Sequence, residues 1–167
     1  MTARLWYSQF DIYDCIRRVG GLLLEWQKPI HLERLYILDF FFANTPLLHR
    51  VTMTADVRSD FRDLAIPKPD KVFLSYPASP LLFHQMEIAQ TSALRALAGK
   101  GLLNTDSFTD KSAELSALGS SLFVDIKNRT ESVQETAIAN FLVNKYSASH
   151  ENGMGSLRSS CGLRRSV

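Results

Sequence analysis

The stretch LYILDFFFAN, residues 35–44, places one aspartate among three consecutive phenylalanines and other apolar residues. Together with Leu32, these side chains cover nearly the whole circumference of a helix predicted over residues 31–44, which indicates a helix buried on most sides. Asp39 has no basic residue three or four positions away, so any group that pairs with it comes from elsewhere in the fold. The stretch therefore predicts the centre of the core and one charge within it.

Asp39 allows more than one interpretation. We favour a structural carboxylate tied to Arg17 or Arg18 of the preceding helix, because an unpaired buried charge is costly. The alternative makes Asp39 a polar contact to another protein. A catalytic role has the least support, since no His, Cys or second acid accompanies it in sequence.

A first helix is predicted over residues 8–26, with Ser8 as its cap and apolar residues at helical spacing. Gly20 and Gly21 would each weaken this helix by up to about 1 kcal/mol relative to alanine if they lie inside it. The pair therefore indicates either close packing against a neighbouring element or a break in the helix.

The middle of the chain changes character, because residues 51–80 carry four of the six prolines. We expect a loop with short elements here, including a short strand over residues 71–76. A third helix is predicted over residues 81–98, with Ser79 as its cap and Pro80 at its first position.

Residues 101–116 combine two short apolar pieces with a polar, turn-rich stretch, which is the pattern of a β-wing. Helices followed by such a hairpin predict a mainly α fold with a small β element, in the form of a winged helix-turn-helix-like domain. A plain loop between helices is the alternative interpretation. A last amphipathic helix is predicted over residues 128–146, capped by Asn128 and with Val133 among its inward-facing residues.

The end of the chain differs in composition from the rest. Residues 146–167 are rich in Ser and Gly, a composition typical of disorder. We therefore expect a single winged-helix-like domain over residues 1–145 and a flexible Ser/Arg-rich tail over residues 146–167. Three arginines and one acid lie in this tail, so the rest of the chain carries equal numbers of acidic and basic residues. A neutral body gives no basic face for direct DNA readout.

Cysteine usage and hydropathy predict the compartment. Cys15 and Cys161 are the two cysteines, and their wide separation makes a poor disulfide framework, which favours a reducing environment. The N-terminal residues lack the pattern of a signal peptide, and no apolar run approaches the roughly 18 residues of a membrane span. These features predict a cytoplasmic protein with no membrane partner.

The stronger sequence motifs of catalysis are absent: the sequence has no HExxH, paired CxxC, GxSxG or GxGxxG. His84 and Glu87, three residues apart on the predicted third helix, could ligate a metal together with residues from elsewhere. We favour a surface or interface pair, because this spacing is common by chance and no further ligands accompany it. We therefore expect no catalytic residue, no metal, no cofactor and no small-molecule substrate.

Three segments carry a resemblance to a known family: QFDIYDCIRRVGGLLLEW (9–26), KPIHLERLYILDFFFANTPLLHRV (28–51) and FRDLAIPKPDKVFLSYPASPLLFHQMEIAQTSALRALAGKGLL (61–103). Over roughly residues 8–145 the chain resembles the middle component of bacterial ABC three-component systems, the Lamassu-type defence operons. The resemblance rests on the general pattern and on RLYILDFFFANTPLL, and not on a catalytic motif.

The resemblance implies a non-enzymatic, winged-helix-like adaptor. Such proteins accompany an ABC ATPase related to the SMC and Rad50 proteins, together with an effector that is frequently a nuclease. The adaptor would hold the effector inactive until the ATPase senses foreign DNA of phage or plasmid origin, and would meet DNA only through the complex. A role of this kind requires partner surfaces and no active site.

The partner surface is expected on the predicted third helix and the loop before it, because aromatic and sulfur-containing side chains are enriched at interfaces. The chosen residues are Phe73, Tyr76, Leu81, Phe83, His84, Met86 and Glu87. Core packing is an equal alternative for these side chains.

The alternative function is a free-standing winged-helix DNA-binding transcriptional regulator with the third helix in the major groove. That helix carries only Arg95 and Lys100 as basic residues and includes the acidic Glu87, which makes it a poor reader of DNA.

Overall fold

A computed structural model describes residues 7–73 and 75–167 and, for Thr109, the backbone only. In the described part the helices are α1 (Ile12–Trp26), α2 (Leu32–Ala43), α3 (Ala55–Asp63), α4 (Ser79–Gln85), α5 (Glu87–Gly99), α6 (Ala117–Thr130), α7 (Val133–Phe141) and α8 (Met154–Cys161). The strands are β1 (Ile30–His31) and β2 (Ser112–Ala113). Short helical turns connect them at Ser8–Phe10, Thr45–Arg50, Pro69–Lys71, Thr105–Asp110, Leu142–Ser147 and Ala148–His150. The prediction of a mainly helical fold with a small β element is confirmed.

Helix α1 begins later than the sequence predicts, because Asp11 and not Ser8 caps it. The Asp11 side chain accepts a hydrogen bond from the backbone N–H of Asp14 at 2.8 Å, which satisfies one of the free donors of the first turn. The residues before it form the Ser8–Phe10 turn. The helix ends at Gln27, whose φ of 59° lies in the left-handed region and stops further helical bonding.

Helix α2 lies at the centre of the core, as the phenylalanine-rich stretch predicts. Every residue from Glu33 to Phe42 is buried, so no face of the helix is left for solvent. The helix packs against α1 and against the Leu142–Ser147 turn. Its position makes α2 the element around which the others are arranged.

The adjacent glycines of α1 have different environments, although both lie inside a continuous helix. A Cβ on Gly20 would lie 1.9 Å from Cε1 of the Phe123 ring, whereas a Cβ on Gly21 would meet nothing within 4 Å. Phe123 belongs to α6 and is buried. Of the two interpretations of the glycine pair, close packing therefore holds at Gly20, where α6 approaches the backbone of α1.

The predicted third helix is two helices, α4 and α5, separated at Met86. Ser79 does not cap this helix as predicted: Ala78 precedes α4 without a side-chain capping bond, Ser79 is the first helical residue, and Pro80 is the second. Met86 has φ −75° and ψ −9°, and its N–H bonds to the carbonyl groups of both His84 and Leu82. This tightened turn ends α4, and α5 begins at the next residue.

Residues 101–116 do form a small β arrangement. Ile30 pairs with Ala113 and His31 with Ser112, in antiparallel register between β1 and β2, and an antiparallel bridge joins Leu103 to Leu115. The segment that follows α5 therefore doubles back on itself and also pairs with the strand between α1 and α2.

Other predicted elements differ from the structure. The strand predicted over 71–76 includes Leu74, which lies outside the described residues, and the other five residues of that segment are not strand. The helix predicted over 128–146 is divided, because Ser132 and Glu135 form a capping box that starts α7 at Val133. Val133 does not face inward, since 90% of its surface is exposed.

The C-terminal segment corrects the expectation of a flexible tail over residues 146–167. Leu157 and Leu163 are buried in the same apolar core as α2, and Tyr146 is fully buried. The Arg158 guanidinium pairs with the buried Glu33 carboxylate of α2. Two apolar anchors and one charge pair hold this segment in place, although its overall composition is rich in Ser and Gly.

None of the described helices is long and apolar enough to cross a membrane.

The glycine pair of α1 gives a test of the α1–α6 packing. Gly20→Ala should lower the free energy of unfolding by about 1–3 kcal/mol, because the added methyl group overlaps the Phe123 ring. Gly21→Ala is the matched control and should raise it by up to about 1 kcal/mol, because alanine favours a helix and the methyl group meets open space. Chemical denaturation measures both, and equal effects of the two substitutions would contradict the close approach.

Candidate partner-binding site

The seven side chains predicted to bind a partner separate into three groups by exposure. The exposed residues are Phe73, Leu81 and His84. The half-buried residues are Tyr76 and Glu87. The buried residues are Phe83 and Met86. The two interpretations offered for these residues, interface and core, thus apply to different members of the set.

Phe83 and Met86 have their contacts inside the fold. The Phe83 ring packs edge to face on Phe40, with ring centroids 5.6 Å apart, and the Arg165 guanidinium lies 4.0 Å from its centroid. The Met86 sulfur accepts a hydrogen bond from Asn44 Nδ2 at 3.4 Å. Neither side chain can meet a partner without opening the core.

The exposed part of α4 borders a hollow that it shares with the end of the chain. The hollow has a volume of about 280 Å³. It is lined by Pro80, Phe83, His84, Glu87, Arg164, Arg165 and Ser166. Within it, His84 Nδ1 lies 3.5 Å from Glu87 Oε2. The structure therefore brings Phe83, His84 and Glu87 together. We call the exposed residues Leu81, His84 and Arg164, with the half-buried Glu87, the α4 surface.

Sequence reasoning missed the contribution of the last residues of the chain to this hollow. The composition predicts a flexible tail that includes Arg164 and Arg165, yet Arg165 is buried. The available signal was the spacing of Leu157 and Leu163, two large apolar residues in an otherwise polar stretch. Such anchors are typical of a segment that docks on a core.

The Asp39 carboxylate is fully buried and has three partners. Arg18 Nε donates a hydrogen bond to Oδ1 at 2.7 Å, and Gln90 Nε2 donates to Oδ2 at 2.8 Å. The Cys15 sulfur lies 3.6 Å from Oδ2. Of the two arginines named as alternatives, Arg18 is the one in contact with Asp39.

Arg17 points to a different set of acids. Its Nη2 lies 3.0 Å from Asp14 Oδ1 and 3.0 Å from Glu135 Oε1. Glu135 also belongs to the capping box at the start of α7. Arg17 thus joins α1 to the start of α7 on a partly exposed surface.

Burial controls the chemistry of the groups around Asp39. Burial, and next the Asp39 charge, raise the pKa of the Cys15 thiol well above its usual range, so the thiol stays protonated and is a poor nucleophile. Burial by itself would lower the pKa of Arg18, but Asp39 outweighs burial and raises it. The pair is a charged structural link, and the thiol beside it is inert.

Gln90 extends this link to the end of the chain. Its Oε1 accepts a hydrogen bond from Arg165 Nη1, and Arg165 Nη2 donates to the backbone oxygen of Phe83. The Arg165 backbone N–H donates to Glu33 at 2.9 Å. Helices α1, α2, α4 and α5 and the C-terminal residues therefore share one buried polar network.

Among the described residues, no group of three or more His, Cys, Asp and Glu side chains is placed to hold a metal ion. His84 and Glu87 form a pair without a third ligand in that part of the chain.

A family model described as ABC-three component (ABC-3C) system Middle Component 5 matches residues 4–166. Neither the curated proteins nor the solved structures include a significant match to the chain.

The buried pair can be tested by stability. Asp39→Ala should lower the free energy of unfolding by about 3–5 kcal/mol, because the buried Arg18 guanidinium loses its fully buried carboxylate partner and keeps only the partly exposed Asp14 as an ion-pair partner. Asp125→Ala is the control, since it removes an exposed helical pair with Arg129 and should cost under about 1 kcal/mol. An unchanged stability of the Asp39 variant in chemical denaturation would refute the structural role.

The Glu33 link to the C-terminal segment predicts a pH dependence. Burial would raise the pKa of Glu33, but the hydrogen bonds from Arg158 and from the Arg165 backbone outweigh burial and lower it. A lowered pKa stabilises the folded state above the unfolded value of about 4.3, and this contribution is lost as the pH falls through the folded value. The stability difference between the wild type and Glu33→Gln should therefore be largest near neutral pH and shrink below about pH 4. Urea titrations at several pH values measure it, and a constant difference would rule the link out.

Proposed function

Because this chain belongs to the ABC-three component system Middle Component 5 family, we propose that it is a non-enzymatic adaptor subunit of a bacterial defence complex. On this proposal it links an ABC ATPase of the SMC/Rad50 type to an effector nuclease. It restrains the effector until the ATPase senses foreign DNA, as in Lamassu-type systems that act against phage and plasmids. The protein itself would reach DNA only through the complex, and it would work in the cytoplasm.

Family membership is the observation that carries this proposal, because a middle component of a three-component system requires other components to bind. The disposition of polar groups supports it. The buried charges Asp39, Arg18 and Glu33 are all held in internal pairs, so they serve the fold and are not directed at a substrate. The two free cysteines, Cys15 and Cys161, fit a reducing compartment.

Exposed apolar side chains support a role in protein binding. Phe73 is fully exposed, and Tyr13 and Ile88 are 84% and 76% exposed. Aromatic side chains are among the residues enriched at protein interfaces. The α4 surface, which adds His84 and Glu87, is our proposed contact for one of the two other components.

We propose a winged-helix-like arrangement for the body, supported by the strand pairing. The bridge between Leu103 and Leu115 follows α5 directly, and β2 pairs with β1, which lies between α1 and α2. In this arrangement α5 occupies the position of the recognition helix, and residues 103–115 form the wing.

The same pairing favours a second candidate function, a free-standing winged-helix DNA-binding regulator. Its weakness is the charge of α5, where Arg95 is the one basic residue and Glu87 begins the helix. Affinity for duplex DNA that falls steeply with salt would favour the regulator. If the protein showed no such affinity for duplex DNA, the adaptor function would be favoured over the regulator.

The adaptor proposal predicts a stable complex. The tagged chain, co-expressed with the other two components of its own system, should retain both through purification and through nuclease treatment. Leu81→Lys should weaken retention of one component by about tenfold or more, because it places a charge in the α4 surface. Leu118→Lys is the matched control, since Leu118 is similarly exposed, at 61%, on α6.

Quantitative pull-down measures these outcomes. Retention of DNA alone by the wild type would move the function to the regulator. Equal retention by both leucine variants would exclude the α4 surface as the contact and leave the adaptor role standing.

A further inference from the structure

The surface between α3 and α7 forms a groove that the α4 surface does not include. Its volume is about 520 Å³, and one wall carries Asp60 and Asp63 of α3 together with Leu64, which follows the helix directly. The other side carries Val133, Ala137 and Phe141 of α7 together with Lys145. It is an open surface groove and not an enclosed pocket.

The α7 side of the groove carries an apolar stripe, beside which Thr136 and Asn140 also line the groove. Val133, Ala137 and Phe141 are spaced four residues apart, so they lie along one face of the helix. The stripe spans about 12 Å at the helical rise per residue, or roughly two turns. Val133 at one end is 90% exposed, whereas Phe141 is buried and forms the floor. A stripe of this length matches the apolar face of a short helix laid in the groove.

The α3 side of the groove is acidic. Asp56, Asp60 and Asp63 follow one another at helical spacing along one flank of α3, while Arg58 and Arg62 lie on the other flank. Arg58 is directed away, because its guanidinium donates to the backbone oxygen of Val51. The helix thus separates its charges and presents carboxylates at the groove.

Lys145 of this chain already forms an ion pair with the acidic side of the groove. Lys145 Nζ lies 3.4 Å from Asp60 Oδ2 at the edge of the groove. Asp63 is exposed and has no ion-pair partner among the residues that the structure describes. A bound segment that places a Lys or Arg beside Asp63 would form a second ion pair next to the one between Lys145 and Asp60.

Resting on the adaptor function proposed above, we propose that the α3–α7 groove binds a short amphipathic helix of another component of the system, with apolar residues on the α7 stripe and a basic flank against Asp60 and Asp63. Acidic walls disfavour nucleic acid, because phosphate would be repelled. The groove and the α4 surface are built from different helices, which gives an adaptor two contacts of different chemistry.

The charge requirement is tested by Asp63→Lys. Asp63 is the last residue of α3, where a lysine is favourable to the helix dipole, so the fold should be unaffected. Retention of one co-expressed component should fall by about tenfold, and that of the other should be unchanged. Asp70→Lys is the matched control, because it makes the same change of charge at an exposed position that does not line the groove.

The apolar requirement is tested by Val133→Ser, with Val124→Ser on α6 as the control, since Val124 is also exposed, at 47%. Serine at the start of α7 removes the apolar contact without burying a polar group. Only the Val133 variant should lose the same component that Asp63→Lys loses. Thermal unfolding of all four variants checks that the fold is retained.

The occupant is identified by a photo-crosslinking amino acid at position 133 in the co-expressed complex. A crosslink to a segment with apolar residues at helical spacing and a Lys or Arg flank would support the inference. A crosslink to a second copy of this chain, to an acidic segment, or to no protein would overturn it. Full retention of both components by Asp63→Lys would also overturn it while leaving the adaptor function in place, whereas a wild-type chain that retains neither component would refute the adaptor function itself.

Discussion

The Asp39 carboxylate lies in the middle of the most apolar helix with no exposed surface, and the arrangement of the helices depends on its need for partners. A buried charge is tolerated only when it is paired and hydrogen-bonded. Arg18 of α1 supplies the pairing charge and Gln90 of α5 a further hydrogen bond. The Asp39 carboxyl group of α2 therefore links α1 and α5 to the central helix.

The same network extends to the end of the chain, and this extension sets the chemistry of the surface around α4. Gln90 accepts a hydrogen bond from Arg165, whose guanidinium also covers the Phe83 ring. Phe83 is thereby removed from the set of exposed aromatic residues, while His84 and Glu87 remain at the surface. The docking of the C-terminal residues therefore decides which side chains of α4 are exposed.

The internal use of charged groups separates folding from binding in this protein. Arg18, Asp39 and Glu33 form ion pairs inside the fold. The proposed partner-binding surfaces therefore consist of apolar side chains and charges that remain exposed to water. The α4 surface and the α3–α7 groove differ in both respects, since the groove is acidic and has a continuous apolar stripe. Two such surfaces would suit the adaptor role proposed above.

The helical class, the central position of α2 and the presence of a buried charge follow from the sequence alone, because an apolar run broken by one acid has those consequences in any compact fold. The sequence also indicated the small β element after α5, from turn-rich residues between short apolar pieces. It did not reveal that Arg18 and not Arg17 meets Asp39, that the helix after Ser79 is divided at Met86, or that residues 146–167 are ordered. Those features depend on contacts between residues far apart in the chain, such as Glu33 with Arg158 and Gly20 with Phe123. The local pattern of apolar and polar residues does not show which distant residues meet. These features therefore became visible only when the helices were packed together in three dimensions.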